Sequence, residues 1–270
     1  MKHFIVTLLV GFWLLGPHAF ADVNAKNGIS ITTASTINGK TPNSAFNGLA
    51  IASGGAPTPD VLWWRLNDAS GTAIVADVGP DGTTNATLNS DYIALNGTSQ
   101  YAQSNSAPTY GSRAITISYW VYATDWAAGA ENVHFESGAN YGSGPLRFSI
   151  GHSGSTVTPI VYQSGGGLIE TFGTIVNSMS NATWYNLTFV IDTAANSNAG
   201  SITCYLDGNS VSTTNALNTL SSSGNFEAAT LNLGSRNAAS SWFGGRLDNL
   251  RIYGRALSGS EVTSIFTAGR

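Results

Sequence analysis

Ile115-Thr116-Ile117-Ser118-Tyr119-Trp120-Val121-Tyr122 is the stretch of sequence that decides the class of fold. A large apolar side chain stands at every second position from Ile115, which is the pattern of a strand with one face on a core. The same alternation recurs over residues 146–150 and 185–191, and turn pairs such as Asn96-Gly97 and Asp207-Gly208 separate the runs. Many short strands divided in this way predict an all-β protein, a two-sheet antiparallel sandwich.

The end of the chain changes period and predicts one short C-terminal helix. Ser258-Gly259-Ser260-Glu261 is a capping box, in which hydroxyl and carboxylate each satisfy a backbone N–H of the first turn. Val262, Ile265 and Phe266 fall on one face at helical spacing, and Gly269 stands where a C-terminal cap belongs. We expect this amphipathic helix to pack on the sandwich.

The start of the chain has the three parts of a secretory signal peptide, predicted over residues 1–21. Lys2 and His3 precede an apolar run over residues 4–15, and Ala19-Phe20-Ala21 is a small-x-small cleavage site. A run of about a dozen residues is too short for the ~20 that span a bilayer. The sequence therefore predicts a secreted, extracellular protein with no membrane span in the mature chain.

Composition and the remaining turn signals predict the organisation of the mature chain. With 10% charged residues and a formal net charge of −4, it has no basic field for nucleic acid or anionic lipid. Residues 22–60 form an Asn-Gly-rich segment, with hairpin signals at 27–28, 38–39 and 47–48, and end in a Gly/Pro linker. Residues 61–270 form the main domain. Its single cysteine, Cys204, excludes an internal disulfide and is predicted to be a buried, inert thiol.

Several segments of the main domain, in this order and spacing, resemble one family. They are Leu62-Trp63-Trp64-Arg65-Leu66-Asn67-Asp68, Leu95-Asn96-Gly97-Thr98-Ser99-Gln100-Tyr101, Trp184-Tyr185-Asn186-Leu187-Thr188-Phe189, Tyr205-Leu206-Asp207-Gly208 and Phe243-Gly244-Gly245-Arg246-Leu247-Asp248-Asn249-Leu250-Arg251-Ile252-Tyr253. Together with the strand at 115–121, they resemble the LamG-like jelly-roll domains of the concanavalin A-like lectin/glucanase superfamily. The resemblance implies a jelly roll, and it implies fold more than function.

The acidic residues argue against catalysis. A retaining glycanase needs two carboxylates about 5 Å apart, which on one strand means positions i and i+2 or i+4, and no glutamate has an acid at either spacing. Glu131 and Glu136 are five apart, hence on opposite faces of a regular strand. A lyase would gather Arg, His, Tyr or Lys on one face, and His134 and His152 fit no such pattern. We predict that the protein is not an enzyme, and a glycan hydrolase or lyase ranks third among its functions.

Two binding functions precede it. Trp126, Trp242 and Tyr141 lie in loop-like sequence, where aromatic rings on a rigid sandwich stack against sugars, so the first hypothesis is a secreted protein that binds a polysaccharide or glycoconjugate. The alternative for each tryptophan is a ring folded over the sandwich edge. The second hypothesis is a structural or adhesive surface domain that contacts other proteins. Trp184 is expected in the core, and of Trp63 and Trp64 one must face inward.

Asp248 is the sharpest site residue. It shares parity with Leu250 and Ile252, which are predicted to face inward, and a buried carboxylate needs a partner. The resemblance implies a structural Ca²⁺ at this aspartate, because Ca²⁺ takes carboxylate and backbone oxygens. Asp68 and Asn67 are weaker candidates for the same site or for a site at its rim. The alternative partner is a set of backbone N–H groups.

Overall fold

The computed structural model describes residues 23–25, 29–31, 45–46, 49–50, 55–68, 70–127, 130–138, 146–153, 156–162, 168–173, 179–194, 201–218 and 225–270. The chain divides into two compact units, residues 1–55 and 56–270. The first unit contains two antiparallel hairpins, β1 (Val23–Ala25) with β2 (Ile29–Ile31) and β3 (Ala45–Phe46) with β4 (Leu49–Ala50). The Asn-Gly pairs at 27–28 and 47–48 separate these paired strands, as predicted. The third pair, at 38–39, lies outside the described residues.

The regular secondary structure of the second unit is almost all strand. In chain order they are β5 (Leu62–Trp64), β6 (Ala73–Ile74), β7 (Ala76–Val78), β8 (Gly82–Thr84), β9 (Thr87–Asn89), β10 (Tyr92–Asn96), β11 (Ala102–Ser104), β12 (Ala114–Ala123), β13 (Asn132–Ser137), β14 (Arg147–Ser153), β15 (Thr156–Tyr162), β16 (Leu168–Gly173), β17 (Tyr185–Asp192), β18 (Ser201–Leu206), β19 (Asn209–Val211), β20 (Thr213–Asn218), β21 (Leu231–Leu233) and β22 (Gly244–Tyr253). One helix follows, α1 (Gly259–Ala268).

These strands form two antiparallel sheets. The first sheet has the order β19-β18-β17-β12-β22-β10-β9, with β5 also paired to β22 and β7 to β5. The second sheet has the order β20-β16-β15-β14-β13-β21-β11-β8-β6. The predicted all-β, two-sheet antiparallel sandwich with one short C-terminal helix is confirmed.

The core lies between the two sheets. The alternate side chains of β12 from Ile115 to Val121 are fully buried there, and the Tyr119 ring meets Phe135 of the second sheet edge-on at 4.3 Å between ring centroids. Cys204 belongs to the same core, and burial raises the pKa of its thiol to about 12, so the sulfur stays protonated and unreactive. The period-two pattern therefore identified the inward face of β12 correctly.

Part of the outer face of the first sheet is covered by α1. Ser258 and Glu261 form the predicted capping box, and Val262 and Ile265 are buried against the sheet. Phe266 stacks on Trp120 with ring centroids 5.8 Å apart. The helix thus turns part of an outer sheet surface into a second, smaller apolar cluster.

A bulge interrupts the central strand β22. Ser118 of β12 is opposite Arg251 while Trp120 is opposite Asp248, so β22 has one more residue than its partner here, and Asn249 has a φ of 50°. The extra residue shifts the alternation, so that Leu247, Leu250 and Ile252 all face the core. The predicted inward orientation of Asp248, in phase with Leu250, is wrong, because that prediction assumed a regular strand.

The predicted signal peptide, residues 1–21, lies outside the described residues. Among the helices of the described part of the chain, none is long and apolar enough to cross a membrane.

Residues just before the first strand of the sandwich are bound to its central strand. Pro57 accepts a hydrogen bond from the Tyr253 hydroxyl at 3.0 Å, and Asp60 accepts one from the Gly254 N–H at 2.7 Å. Ala56 packs on the cluster under α1. We therefore expect a chain starting at Ala56 to melt cooperatively within a few degrees of the full chain, by calorimetry.

A chain starting at Val61 loses both hydrogen bonds, each worth about 1 kcal/mol. Its melting temperature should therefore be a few degrees lower than that of the chain starting at Ala56. Aggregation of the chain that starts at Ala56 would show instead that residues 1–55 are needed for the sandwich.

Candidate functional site

A cleft of about 520 Å³ opens on the outer face of the first sheet, where β22 changes partners. Residues 244–247 of β22 pair with β10, whereas residues 250–252 pair with β5. The bulge lies in the gap between these two partners, and its residues form the floor. The lining comprises Trp63, Arg65, Asn67, Ser90, Asp91, Asp248, Asn249, Arg251, Ala268 and Arg270.

The Asp248 carboxylate is bound by a guanidinium. Arg270 donates from Nε to Asp248 Oδ2 at 2.9 Å and from Nη2 to the Asp91 carbonyl at 3.1 Å. The Arg270 guanidinium also lies 3.8 Å from the centre of the Trp184 ring. Burial raises the pKa of Asp248, and the bond from Arg270 opposes that shift. The partner that the sequence required for this carboxylate is therefore an arginine, supported by the N–H of Asn249.

The residues around Asp248 do not fit a calcium ion. Its carboxylate is already bound to Arg270, and three guanidiniums line the same cleft and repel a cation. Asp68 is not part of this lining and accepts a hydrogen bond from the Val75 N–H at 3.4 Å. Within the described residues, no group of three or more His, Cys, Asp or Glu side chains could hold a metal ion. Structural calcium stays a prediction from the resemblance.

Trp63 and Asn249 hold Arg251, the third arginine of the cleft, in place. The Asn249 Oδ1 accepts from Trp63 Nε1 at 2.7 Å and from Arg251 Nε at 3.1 Å, while Asn249 Nδ2 donates to the Gly269 carbonyl at 3.3 Å. The Arg251 guanidinium lies 5.1 Å from the centre of the Trp63 ring. Trp64 is buried in the core, so the two adjacent tryptophans point in opposite directions, as predicted.

The predicted sugar-stacking aromatics have three different outcomes. Trp126 is 2% exposed and packs against His152 with ring centroids 5.0 Å apart, so it offers no ring face to a surface ligand, and the folded-over alternative applies to it. Trp242 is half-buried and its ring lies 6.2 Å from that of Tyr101. Tyr141 lies outside the described residues.

Trp184 is not in the core, contrary to expectation. It lies half-buried on the outer face of the first sheet, with ring centroids 5.9 Å from Tyr92 and 5.5 Å from Tyr122. Arg246 stacks on both tyrosines, at 4.6 Å and 4.5 Å from their ring centres. An aromatic and guanidinium surface therefore extends from the cleft across β10 and β12.

Sequence reasoning missed a buried chain of hydrogen bonds at one end of the sandwich. The Asp125 carbonyl lies 3.2 Å from His152 Nε2, His152 Nδ1 lies 2.9 Å from His134 Nε2, and His134 Nδ1 lies 2.8 Å from the Tyr119 hydroxyl. Since the Asp125 carbonyl only accepts, His152 Nε2 is the donor to it; with neutral rings, His134 Nε2 then donates to His152 Nδ1 and the Tyr119 hydroxyl donates to His134 Nδ1. Burial lowers the pKa of both histidines.

A second bulge explains how His134 reaches this chain. Val133 of β13 is opposite Gly151 and Phe135 is opposite Ile150, so His134 is an extra residue in the strand. The same bulge explains why one prediction about two acids is wrong. Glu131 and Glu136 were predicted on opposite faces of a regular strand, but both bind Arg236. Burial raises the pKa of Glu136 to about 7, and Arg236 opposes the shift.

The two antiparallel sheets define a jelly-roll sandwich. The family model of the concanavalin A-like lectin/glucanases superfamily matches residues 96–263, and the chain belongs to this superfamily. No curated protein matches the sequence significantly.

Solved structures with the same fold include toxin and glycosidase domains. The receptor-binding domain of botulinum neurotoxin type G is 14% identical with a TM-score of 0.55, covering 78% of this chain and 51% of that one. The serotype D ligand-binding domain, in complex with N-acetylneuraminic acid, is 11% identical with a TM-score of 0.56 and the same coverage. Trypanosoma rangeli sialidase is 14% identical with a TM-score of 0.58, covering 82% of this chain and 34% of that one. The chain spans about half or less of each structure, and these likenesses show the fold alone.

The buried histidines predict acid sensitivity. Their lowered pKa means that the unfolded chain binds more protons than the folded one below the ordinary histidine pKa of 6.5. Their contribution to stability is complete above pH 6.5 and is lost as the pH falls below it, by up to about 1.4 kcal/mol per pH unit for each histidine. Denaturant unfolding between pH 5 and pH 7.5 measures this slope.

Two variants separate the effect of the histidines from that of Glu136. Because the pKa of Glu136 is raised from 4.5 to about 7, this residue makes the free energy of unfolding rise as the pH falls through that range. His152→Gln should flatten the loss of stability on the acid side, and Glu136→Gln should steepen it. Equal slopes for the wild type and His152→Gln would contradict the neutral histidine pair.

The ion pair between Asp248 and Arg270 predicts a measurable coupling free energy. A double-mutant cycle with Asp248→Asn and Arg270→Gln should give about 1–2 kcal/mol, because the Asp248 carboxylate is only 6% exposed. The matched control is Arg65 with Asp77, whose side chains are 50% and 39% exposed, and which should give under about 0.5 kcal/mol.

The same proteins test calcium. We expect the melting temperature of the wild type to be equal in excess Ca²⁺ and excess chelator. A fall of several degrees on chelation, absent in Asp248→Asn, would establish the metal and contradict the ion-pair interpretation.

Proposed function

We propose that this is a secreted, non-catalytic protein that binds glycans through the cleft at the partner change of β22. The observation that carries the proposal is the composition of the cleft. Exposed hydrogen-bonding groups of Asn67, Ser90 and Asp91 are part of its lining, together with the half-buried indole of Trp63. A few polar groups in a concave site suit the hydroxyls of sugars, and the Trp63 ring, with Arg65 4.5 Å and Arg251 5.1 Å from its centre, adds an ordered aromatic wall.

The comparisons support the same proposal at the level of the class. The superfamily takes its name from lectins and glucanases. One solved domain of this fold holds N-acetylneuraminic acid. At 11% identity this likeness concerns the fold, so the location of the site in this chain rests on the cleft itself.

The non-catalytic part of the proposal rests on how the acids are used. Glu131 and Glu136 share Arg236, Glu227 binds Arg147, and Glu261 binds Arg255 while it caps α1. Asp248 in the cleft is bound to Arg270. A carboxylate engaged in this way is a poor nucleophile, since its partner must first be displaced. Glu136, whose pKa burial raises to about 7, is only 5% exposed and offers little surface to a substrate. Secretion rests on the signal sequence at residues 1–21.

A glycan array with the mature chain tests binding, and titration calorimetry with the strongest neutral or acidic hit locates it. Asn67→Ala and Ser90→Ala should each weaken binding about 3- to 10-fold, the effect of one lost hydrogen bond. Both side chains are exposed, so melting should be unchanged.

Asn209→Ala, on the exposed β18–β19 hairpin, is the matched control and should bind normally. Weakening by Trp242→Ala without weakening by Asn67→Ala would move the site to the loop aromatics that the sequence suggested. An array without any glycan hit would favour the alternative of a structural or adhesive domain.

A further inference from the structure

The charges inside the cleft are not balanced. Of its three guanidiniums, Arg65 is paired with Asp77 and Arg270 with Asp248. Arg251 bonds only neutral groups, the Asn249 amide and the Tyr253 hydroxyl, and within the described part of the chain no carboxylate lies at ion-pair distance from it. Arg251 is also 7% exposed. A buried cation without an anion is costly, so this position calls for a negative partner.

Burial decides which charge governs the inside of the cleft. Asp91 is exposed at the mouth, where water and salt screen it. The buried groups are Arg251 and Asp248, and the charge of Asp248 is taken by Arg270. Asp248 also attracts Arg251, but it is bonded to Arg270 and makes no ion pair with Arg251. Together Arg251, Arg270 and Asp248 carry one net positive charge, which favours an anion at the floor of the cleft.

The Arg251 guanidinium is also fixed in place before any ligand arrives. Its Nε is held by Asn249, which is in turn bonded to Trp63 and Gly269, and the guanidinium carbon lies 5.1 Å from the centre of the Trp63 ring. A guanidinium presents its N–H donors as a planar fork that matches a carboxylate. Because the side chain is already ordered, little conformational entropy is lost on binding.

We propose that the cleft selects glycans that carry a carboxylate, and that Arg251 pairs with that carboxylate. The inference rests on the proposed glycan binding and names its ligand class, acidic sugars such as uronic or sialic acids. Arg251 sets the charge specificity, while the polar groups at the mouth contact hydroxyls common to acidic and neutral sugars.

Matched probes test the selectivity. Tetragalacturonate and its methyl ester share every sugar ring and differ in charge, as do 3′-sialyllactose and lactose. With the full mature chain, calorimetry should show that the acidic glycan of a pair binds at least tenfold more tightly than its neutral counterpart. Raised salt should reduce this ratio of affinities. A sulfated oligosaccharide that binds as tightly as the carboxylate would overturn the choice of carboxylate.

Variants assign the effect to Arg251. Arg251→Gln should bring the acid to the affinity of its ester, whereas Arg246→Gln, on the same strand but outside the lining, should keep the tenfold ratio. If Arg251→Gln does not melt like the wild type, Arg251→Lys keeps the charge without the fork and should give an intermediate ratio.

The outcomes separate this inference from the proposed function. Equal binding of acid and ester by the wild type, or an unchanged ratio in Arg251→Gln, overturns the charge selectivity and leaves glycan binding in place. Failure to bind any acidic or neutral glycan overturns both.

Discussion

The left-handed backbone at Asn249 places one extra residue in β22, and the outer face of the first sheet depends on it. A regular strand would turn alternate side chains to alternate faces without interruption. With the bulge, Leu247 and Leu250 both reach the core, and Asp248 and Arg251 both lie in the cleft. The same residue marks the change from one strand partner to the other, so the gap that forms the cleft and the charges that line it have one origin.

The sequence was sufficient for the fold and insufficient for the site, and the division has a physical reason. Alternation in β12 and the capping box at Ser258 are local patterns with one structural solution. The positions of Asp248 and of Glu131 relative to Glu136 were wrong for a shared reason, an extra residue in a strand, which reverses every parity beyond it. Asn is one of the few residues that tolerate a positive φ, so Asn249 was the one local signal of a bulge.

The aromatic residues show a second limit of what the sequence can predict. The surroundings of Trp126 and Trp184 depend on which elements fold over them, and residue type alone does not carry that information. Trp126 is enclosed by the two histidines at the end of the sandwich, while Trp184 remains on the outer sheet face under Arg270. The charged groups are few, and most are used to hold one element against another. Of the described aspartates, glutamates and arginines that are buried, namely Glu136, Asp248 and Arg251, only Arg251 has no ion pair.

The position of β22 also governs the order of assembly. It lies between β12 on one side and β10 and β5 on the other, although Trp63 and Asn249, which meet across this junction, are 186 residues apart. The early strands of the first sheet cannot find their neighbour until residues 244–253 are available, so the sandwich closes only after nearly the whole second unit has been made. Contacts of such long sequence separation slow folding. Until β22 pairs with them, the early strands of the first sheet have unpaired edges, and unpaired strand edges are the part of a folding β protein most prone to aggregation.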